Sequence, residues 1–337
     1  MRFTIRDVAK KANVSVSTVS HALNSTRYVK EETREKILKI ADELKYKPST
    51  IAQGLRKKSL ETVAVFVPNI SSQFFSQILI GINEVALKNN YHIIMANTFF
   101  NSEEEEKTLE NLKNQFIDGV ILVSGNDNVA CIKKLKMENF PFVLIARDID
   151  PDIPSILIDN FKATRNIVDY LVTMGHKRIG YVTMNFSGRK TVEDRFLGYK
   201  EGLEENNIKY NPDDVLVVDE AMIDEMAVSY RHCKKFFNNK VPTAIITATD
   251  NIAAGLYVAL KENGFRIPDD VSVVGFDNLP ISRFLDPPLT TMKQPKKLMG
   301  YKGMEILLDL INKKKLPDPV IKLETKIIER DSVKQII

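Results

Sequence analysis

Four residues near the N-terminus, Val16, Ser17, Ser20 and His21, fall at i, i+1, i+4 and i+5 and so share one side of a helix. Hydroxyls and an imidazole on an outward helix face are suited to reading base edges in a DNA major groove. The plainer alternative for His21 is a solvated surface histidine. Its place beside Ser17 on the outward face favours base contact. Ser15 stands where an N-cap belongs, and Val19 and Leu23 point to the opposite side, giving a helix over 16–23. Upstream, Thr4 followed by Asp7 has the form of a capping box, and Ile5, Val8, Ala9 and Ala12 make one apolar face. Two short helices joined by the tight turn Asn13-Val14 predict a helix-turn-helix.

The charge distribution agrees with a polyanionic partner. Of the 48 Lys+Arg and 44 Asp+Glu residues in the 337-residue chain, 14 and 6 respectively fall in residues 1–60. The head therefore carries +8 and the remainder −4, out of a net +4. A third helix is predicted from about Glu31 to Lys45, with Ile37, Ile40, Ala41 and Leu44 as its core stripe and Pro48 forbidding its continuation. Ser49 can cap about two further turns. That segment contains Gly54 and is too short to be helical alone in water, so DNA is expected to complete it.

On these residues the head resembles the lactose-repressor (LacI/GalR) family of transcriptional regulators. The matching stretches are TIRDVAKKANVSVSTVSHALN (4–24) and EETREKILKIADELKYKPSTIAQGLR (31–56). The head is most similar to the purine- and ribose-repressor branch, and the resemblance runs through the whole chain. It implies that Val16, Ser17 and His21 read bases, and that Thr4, Ser15, Thr18, Ser20, Asn24 and Tyr28 touch phosphates or support the helices. It also implies that Leu55 wedges into the central base step from the minor groove, with Ala52 small enough to let the hinge backbone approach.

Beyond residue 60, short apolar runs alternate with helical patterns. Strands are predicted at 63–67, 92–97, 119–123, 142–146, 156–158, 178–184, 214–219, 244–249 and 271–276. Alternation of this kind means parallel sheets covered on both faces, and so many strands exceed one comfortable sheet. The expected fold is α/β: a helix-turn-helix head with a hinge helix, then a two-lobed core with parallel sheets. The resemblance implies a type I periplasmic-binding-protein-like core, crossed by the chain near 159–162, 288–292 and 318–324. The expected organisation is a DNA-binding domain at 1–47, a hinge at 48–60 and an effector-binding core at 61–337. One lobe spans about 61–160 and 292–320, the other about 161–290 and 321–337.

Ligands of open α/β sheets bind beyond the carboxyl ends of strands, which here carry Ser124, Arg147, Asp250 and Asp277. Phe74 and Phe75 follow the first strand, and Asn160 and Phe161 sit at the first implied crossing. The resemblance makes Arg195 an effector-binding arginine and Asp277 an aspartate that bonds ligand hydroxyls or ring nitrogens. Each carboxylate can instead be a helix N-cap, and for Asp250 both readings stay open. One departure matters: the family usually carries Asp-Arg where this chain has Ala146-Arg147. Arg147, Arg189, Lys190 and Arg195 all stand near the expected cleft, so a phosphorylated or carboxylated ligand stays beside a neutral sugar as the effector class.

The chain lacks GxSxG, HExxH and P-loop patterns, and neither Cys131 nor Cys233 has a CxxC or histidine partner. No enzyme activity, metal or cofactor is expected. The lone cysteines and an N-terminus without an apolar signal region fit a cytoplasmic protein, and no apolar run is long enough for a membrane helix. A periplasmic transport receptor, the other class with such a core, would need a signal peptide and no basic head. The function expected is repression of transcription from a palindromic operator by a homodimer under small-molecule control. The chain shows no leucine heptads of the kind that build tetramers in some relatives. A phosphorylated partner protein, known as a co-effector within the family, is not excluded.

Overall fold

A computed structural model describes residues 3–24, 27–46, 60–113, 117–124, 129–185, 188–218, 224–237 and 241–336. The chain separates into two compact units, 1–60 and 61–337.

In the first unit α1 (Ile5–Ala12), α2 (Val16–Asn24) and α3 (Glu31–Glu43) enclose a small core of Val8, Ala9, Ala12, Val19, Ala22, Ile37, Ile40 and Ala41. The Thr4 N–H and hydroxyl both donate to the Asp7 carboxylate at 2.8 Å and fix the start of α1. Asn13 closes α1 in the left-handed region, at φ 56, which an Asn side chain tolerates. Ser15 Oγ accepts from the Thr18 N–H at 3.1 Å and caps α2. Lys11 pairs with Glu43 at 2.8 Å, tying α1 to α3. The third helix ends before the expected Lys45. That residue turns left-handed, at φ 49, and the Tyr46 N–H returns to the Ala41 carbonyl at 2.8 Å. A C-cap therefore ends the helix before Pro48 can. The expected hinge helix, with Ala52 and Leu55, lies outside the described residues.

The second unit holds two six-stranded sheets. The strands are β1 (Thr62–Val67), β2 (His92–Asn97), β3 (Gly119–Val123), β4 (Phe142–Ile145), β5 (Ser155–Ile158) and β6 (Ile179–Met184). They continue as β7 (Val215–Val218), β8 (Ala244–Thr247), β9 (Ser272–Asp277), β10 (Thr290–Lys293), β11 (Val320–Leu323) and β12 (Lys326–Ile328). One sheet runs β11-β5-β4-β3-β1-β2 and is parallel throughout. The other runs β12-β10-β9-β8-β6-β7, with only β12 antiparallel. Central strands such as β3 (GVILV) and β9 (SVVGFD) are buried along their whole length, as expected where helices cover both faces.

The helices of the first lobe are α4 (Gln73–Lys88), α5 (Ser102–Lys113), α6 (Val129–Met137) and α11 (Lys296–Ile311). Those of the second are α7 (Asn160–Thr173), α8 (Lys190–Glu205), α9 (Glu225–Phe236) and α10 (Asp250–Glu262). α11 packs against α4 and against β3, β4 and β5. The contact is close enough that a Cβ at Gly300 would lie 1.9 Å from the Ile78 carbonyl oxygen.

The chain first crosses between lobes after β5. Two crossings differ from expectation. β10 belongs to the second sheet up to Lys293, which pairs with Asp277 and Lys326, so the return follows residue 293 rather than 288–292. β11 stays in the first sheet up to Leu323, paired with Ile158, so the last crossing is the step from β11 to β12. Among the described residues no helix is long and apolar enough to span a membrane, and no group of three or more His, Cys, Asp or Glu is placed to hold a metal ion.

Candidate functional site

In the head, α2 turns Val16 and Ser17 outward and leaves Thr18 and His21 half-buried. Ser15 Oγ lies 2.7 Å from Ser17 Oγ and 2.8 Å from Thr18 Oγ1, so the first turn presents an ordered set of hydroxyls. Thr4 is exposed and Tyr28 is 91 % exposed. Ser20 departs from the expected outward face. It is 4 % exposed and is buried together with Val19 and Ala22 of the same helix. Ser20 therefore supports the helix. Asn24 ends α2, and its side chain lies outside the described residues.

Between the lobes lies a cleft of about 670 Å³, its open mouth included. The first lobe contributes Phe74, Phe75, Phe100, Ser124, Asn69 and Ser72. Ser72 caps α4 by accepting from the Phe74 N–H at 3.3 Å, and the two phenylalanines meet edge to face with centroids 5.2 Å apart. The second lobe contributes Arg189, Arg195, Glu225, Asp277, Thr191 and Asn251, with Met184, Val192, Thr249 and Leu279 between them.

Arg195 is held firmly. Its Nε donates to Asn160 Oδ1 at 2.8 Å, an Nη donates to the Ala248 carbonyl at 2.7 Å, and the guanidinium lies 3.8 Å from the centroid of the Phe276 ring. Asp277 ends β9 at φ 115 and accepts from Gln294 Nε2 at 2.5 Å. Burial pushes its carboxyl up from the usual range, while Arg195, Lys296 and the Gln294 bond pull it back. Glu225 accepts from the Thr249 hydroxyl at 2.9 Å, and burial, aided by the charge of Asp277, pushes it up to about 7. Arg189 donates to the Asn185 carbonyl and lies 5.7 Å from the Phe100 ring centroid across the cleft. This wall carries two guanidinium groups and two carboxyls, facing an aromatic wall on the other lobe. Such an arrangement can orient a small polar molecule while excluding water.

Of the nine effector residues expected, Phe74, Phe75, Ser124, Arg195 and Asp277 line the cleft. Asn160 acts from behind, through Arg195. Phe161 does not line it. Its carbonyl abuts Gly198, where a Cβ would come within 2.1 Å, and so it serves α7–α8 packing. Arg147 turns away into the first lobe and pairs with Glu105 at 3.1 Å, with both side chains buried. Asp250 fills neither role left open for it. Thr249 caps α10 by accepting from the Ile252 N–H at 3.1 Å, whereas Asp250 is the first helical residue and accepts from Thr291 Oγ1 at 2.5 Å and the Leu279 N–H at 2.6 Å. Burial raises its carboxyl to about 8. Lys190 pairs with Asp194 on α8 at 3.1 Å and with Asp148 of the other lobe at 3.0 Å.

Sequence reasoning missed Glu225, Phe100, Asn69, Ser72, Thr191 and Asn251. Glu225 carried a usable signal, since only one of two adjacent acids can cap a helix. Asp224 takes that place, accepting from the Ala227 N–H at 3.0 Å, which leaves Glu225 for the cleft.

A helix-turn-helix unit joined to a two-lobed, cleft-bearing α/β core defines a ligand-responsive DNA-binding regulator. The chain belongs to the lacI family of bacterial regulatory proteins, whose pattern matches residues 4–49, and a periplasmic binding protein-like domain matches residues 168–333. It is 35% identical over 335 residues to the HTH-type transcriptional regulator RegA of Clostridium saccharobutylicum, covering 98% of this chain and 99% of that one. It is 33% identical over 340 residues to the HTH-type transcriptional repressor PurR of Vibrio campbellii, covering 99% of each. Among solved structures it resembles the lac repressor dimer bound to operator and the anti-inducer ONPF, with a TM-score of 0.84, 27% identity, and coverage of 99% of this chain and 100% of that one. The protein is a lacI-family transcriptional regulator.

Proposed function

We propose that the protein represses transcription by binding a near-palindromic operator as a homodimer, and that a small polar molecule in the inter-lobe cleft changes its affinity for that operator. The reading rests chiefly on the cleft. Phe74, Phe75 and Phe100 form one wall, and Arg195, Arg189, Asp277 and Glu225 the other. A cleft lined in this way is suited to a small metabolite as the effector. Arg189 and Arg195 face the Asp277 and Glu225 carboxyls, and Arg147 and Lys190 are neutralised by Glu105, Asp148 and Asp194. This favours an uncharged, hydrogen-bonding ligand over a sugar phosphate or a carboxylate.

In the head, Val16, Ser17 and His21 read base edges, while Thr4, Ser15, Thr18, Asn24 and Tyr28 touch phosphates or orient the helix. Leu55 and Ala52 are assigned to the minor groove on the family resemblance. The dimer reading draws on exposed apolar side chains in both lobes, among them Ile80, Leu87 and Met95 in one and Val258 and Phe284 in the other, a distribution suited to a second copy. A regulator of this kind works in the cytoplasm.

Two experiments test the reading. A thermal-shift screen against sugars, nucleosides, sugar phosphates and carboxylates should find a stabiliser among the uncharged compounds, worth about 2.7 kcal/mol at one hundred times its Kd. Sites selected from a random DNA pool should show dyad symmetry. His21→Ala should relax one base position per half-site by roughly 1–3 kcal/mol. An unchanged site profile for His21→Ala would remove that residue from the reading set.

A further inference from the structure

One lysine belongs by position to the first lobe and by contact to the second. Lys296 is the first residue of α11, the helix packed on α4 and on β3, β4 and β5 of the first lobe. Its side chain is nonetheless 6 % exposed, and its ammonium donates to the backbone carbonyls of Asp277 and, at 3.4 Å, of Asn278 in the second lobe. Both carbonyls belong to residues with left-handed backbone, Asp277 at φ 115 and Asn278 at φ 52. An Asn side chain tolerates φ 52, but the φ of 115 at Asp277 is held only where the surroundings impose it.

An ammonium is suited to impose it, because it has three donors and no acceptor and so draws adjacent carbonyls together. Two residues earlier, the buried Gln294 donates to the Asp277 carboxylate at 2.5 Å. The crossing segment thus grips both the backbone and the side chain of one cleft residue. On the far side of the turn, the Leu279 N–H is held by Asp250 at 2.6 Å. Burial lowers the affinity of Lys296 for its proton, and the nearby charges of Asp277 and Asp250 restore part of it.

We propose that Lys296 is a positioning residue that pins the cleft end of β9 to the opposite lobe, so that a movement of α11 relative to the second sheet is felt directly at the Asp277 carboxylate. The assignment of Asp277 as a ligand contact rests on the cleft-binding function proposed above; the pin itself does not.

Hydrogen exchange on the full-length protein without added ligand tests the pin. Lys296→Met removes the donors and keeps the apolar stem. The amides of Asn278, Leu279 and Ser282 bond to Thr291, Asp250 and the Leu279 carbonyl. In Lys296→Met they should exchange at least tenfold faster, while those of β1 and of Ile82–Ala86 on α4 stay within twofold of wild type. Exchange at 278–282 within twofold of wild type would overturn the proposal. Equal acceleration in β1 would also overturn it, since that marks general destabilisation. Lys296→Arg keeps a cation over the carbonyls and decides the matter if Lys296→Met does not fold. Its turn should stay within threefold of wild type, and tenfold acceleration there would overturn the pin. No ligand enters the measurement, so a failed ligand screen and a failed pin remain distinguishable.

Discussion

The two sheets of the core place corresponding strands in the same order, β2-β1-β3-β4-β5-β11 against β7-β6-β8-β9-β10-β12. In that correspondence β4 matches β9, and both strands end in backbone of positive φ that carries different side chains. Past β9, Asp277 and Asn278 take positive φ and the aspartate faces the cleft. Past β4, Ala146 takes φ 53, has no polar side chain to offer, and is followed by an arginine that turns inward to Glu105. Both strand ends take positive φ, but of Ala146 and Asp277 only Asp277 lines the cleft. The charged groups lining the cleft come from the second lobe, and the first lobe supplies its three phenylalanines together with Asn69, Ser72 and Ser124.

The largest effect that tests this contrast comes from breaking the buried pair in the first lobe. Arg147→Met leaves the Glu105 carboxylate buried without its arginine and should cost about 3–5 kcal/mol in a urea melt, while Arg147→Met with Glu105→Leu should recover most of it. Ligand affinity should follow neither change. A single-variant loss below about 1 kcal/mol would mean that water reaches the pair.

Arg195→Ala should act in the opposite sense. It removes charge-assisted hydrogen bonds worth about 1.5–3 kcal/mol, a loss of ten- to a hundredfold in affinity for the compound that stabilises the core, and leaves operator binding without that compound unchanged. Isothermal titration decides it, and an affinity within threefold of wild type would take Arg195 out of the ligand site.

The smallest expected effect is the pH response. Glu225 and Asp250 are raised to about 7 and about 8, so the folded state binds more protons than the unfolded chain from about pH 4 upward. The stability these groups influence is therefore greatest below about pH 4, falls as pH rises, and is fully lost once pH has passed 7 and 8. Glu225→Gln should flatten the stability slope between pH 5 and 7 by about 1 kcal/mol per pH unit. An unchanged slope would place that carboxyl in water.

Much of this was legible in the sequence. The nine strands read from apolar runs are all present, and so are the capped starts of α1 and α2. The strands that were not read, β10, β11 and β12, have four, four and three residues and owe their pairing to distant partners rather than to local pattern. In the cleft, strand ends identified Ser124 and Asp277, but identical logic misplaced Arg147 and Asp250. A position at a strand end says that a side chain can reach the cleft. Whether it does depends on a competing partner, Glu105 for one and Thr291 with the Leu279 amide for the other. Glu105 lies 42 residues from Arg147 and Thr291 lies 41 from Asp250, beyond any local pattern.

The central claim is that the cleft and the DNA-binding head are thermodynamically linked. It is tested by measuring the affinity of the full-length protein for its selected operator with and without a saturating concentration of the stabilising compound, and the affinity for the compound with and without operator. The account predicts a change of about 5–150-fold in operator affinity and the same factor in the reciprocal experiment. An operator affinity that is the same with the cleft filled or empty would contradict it.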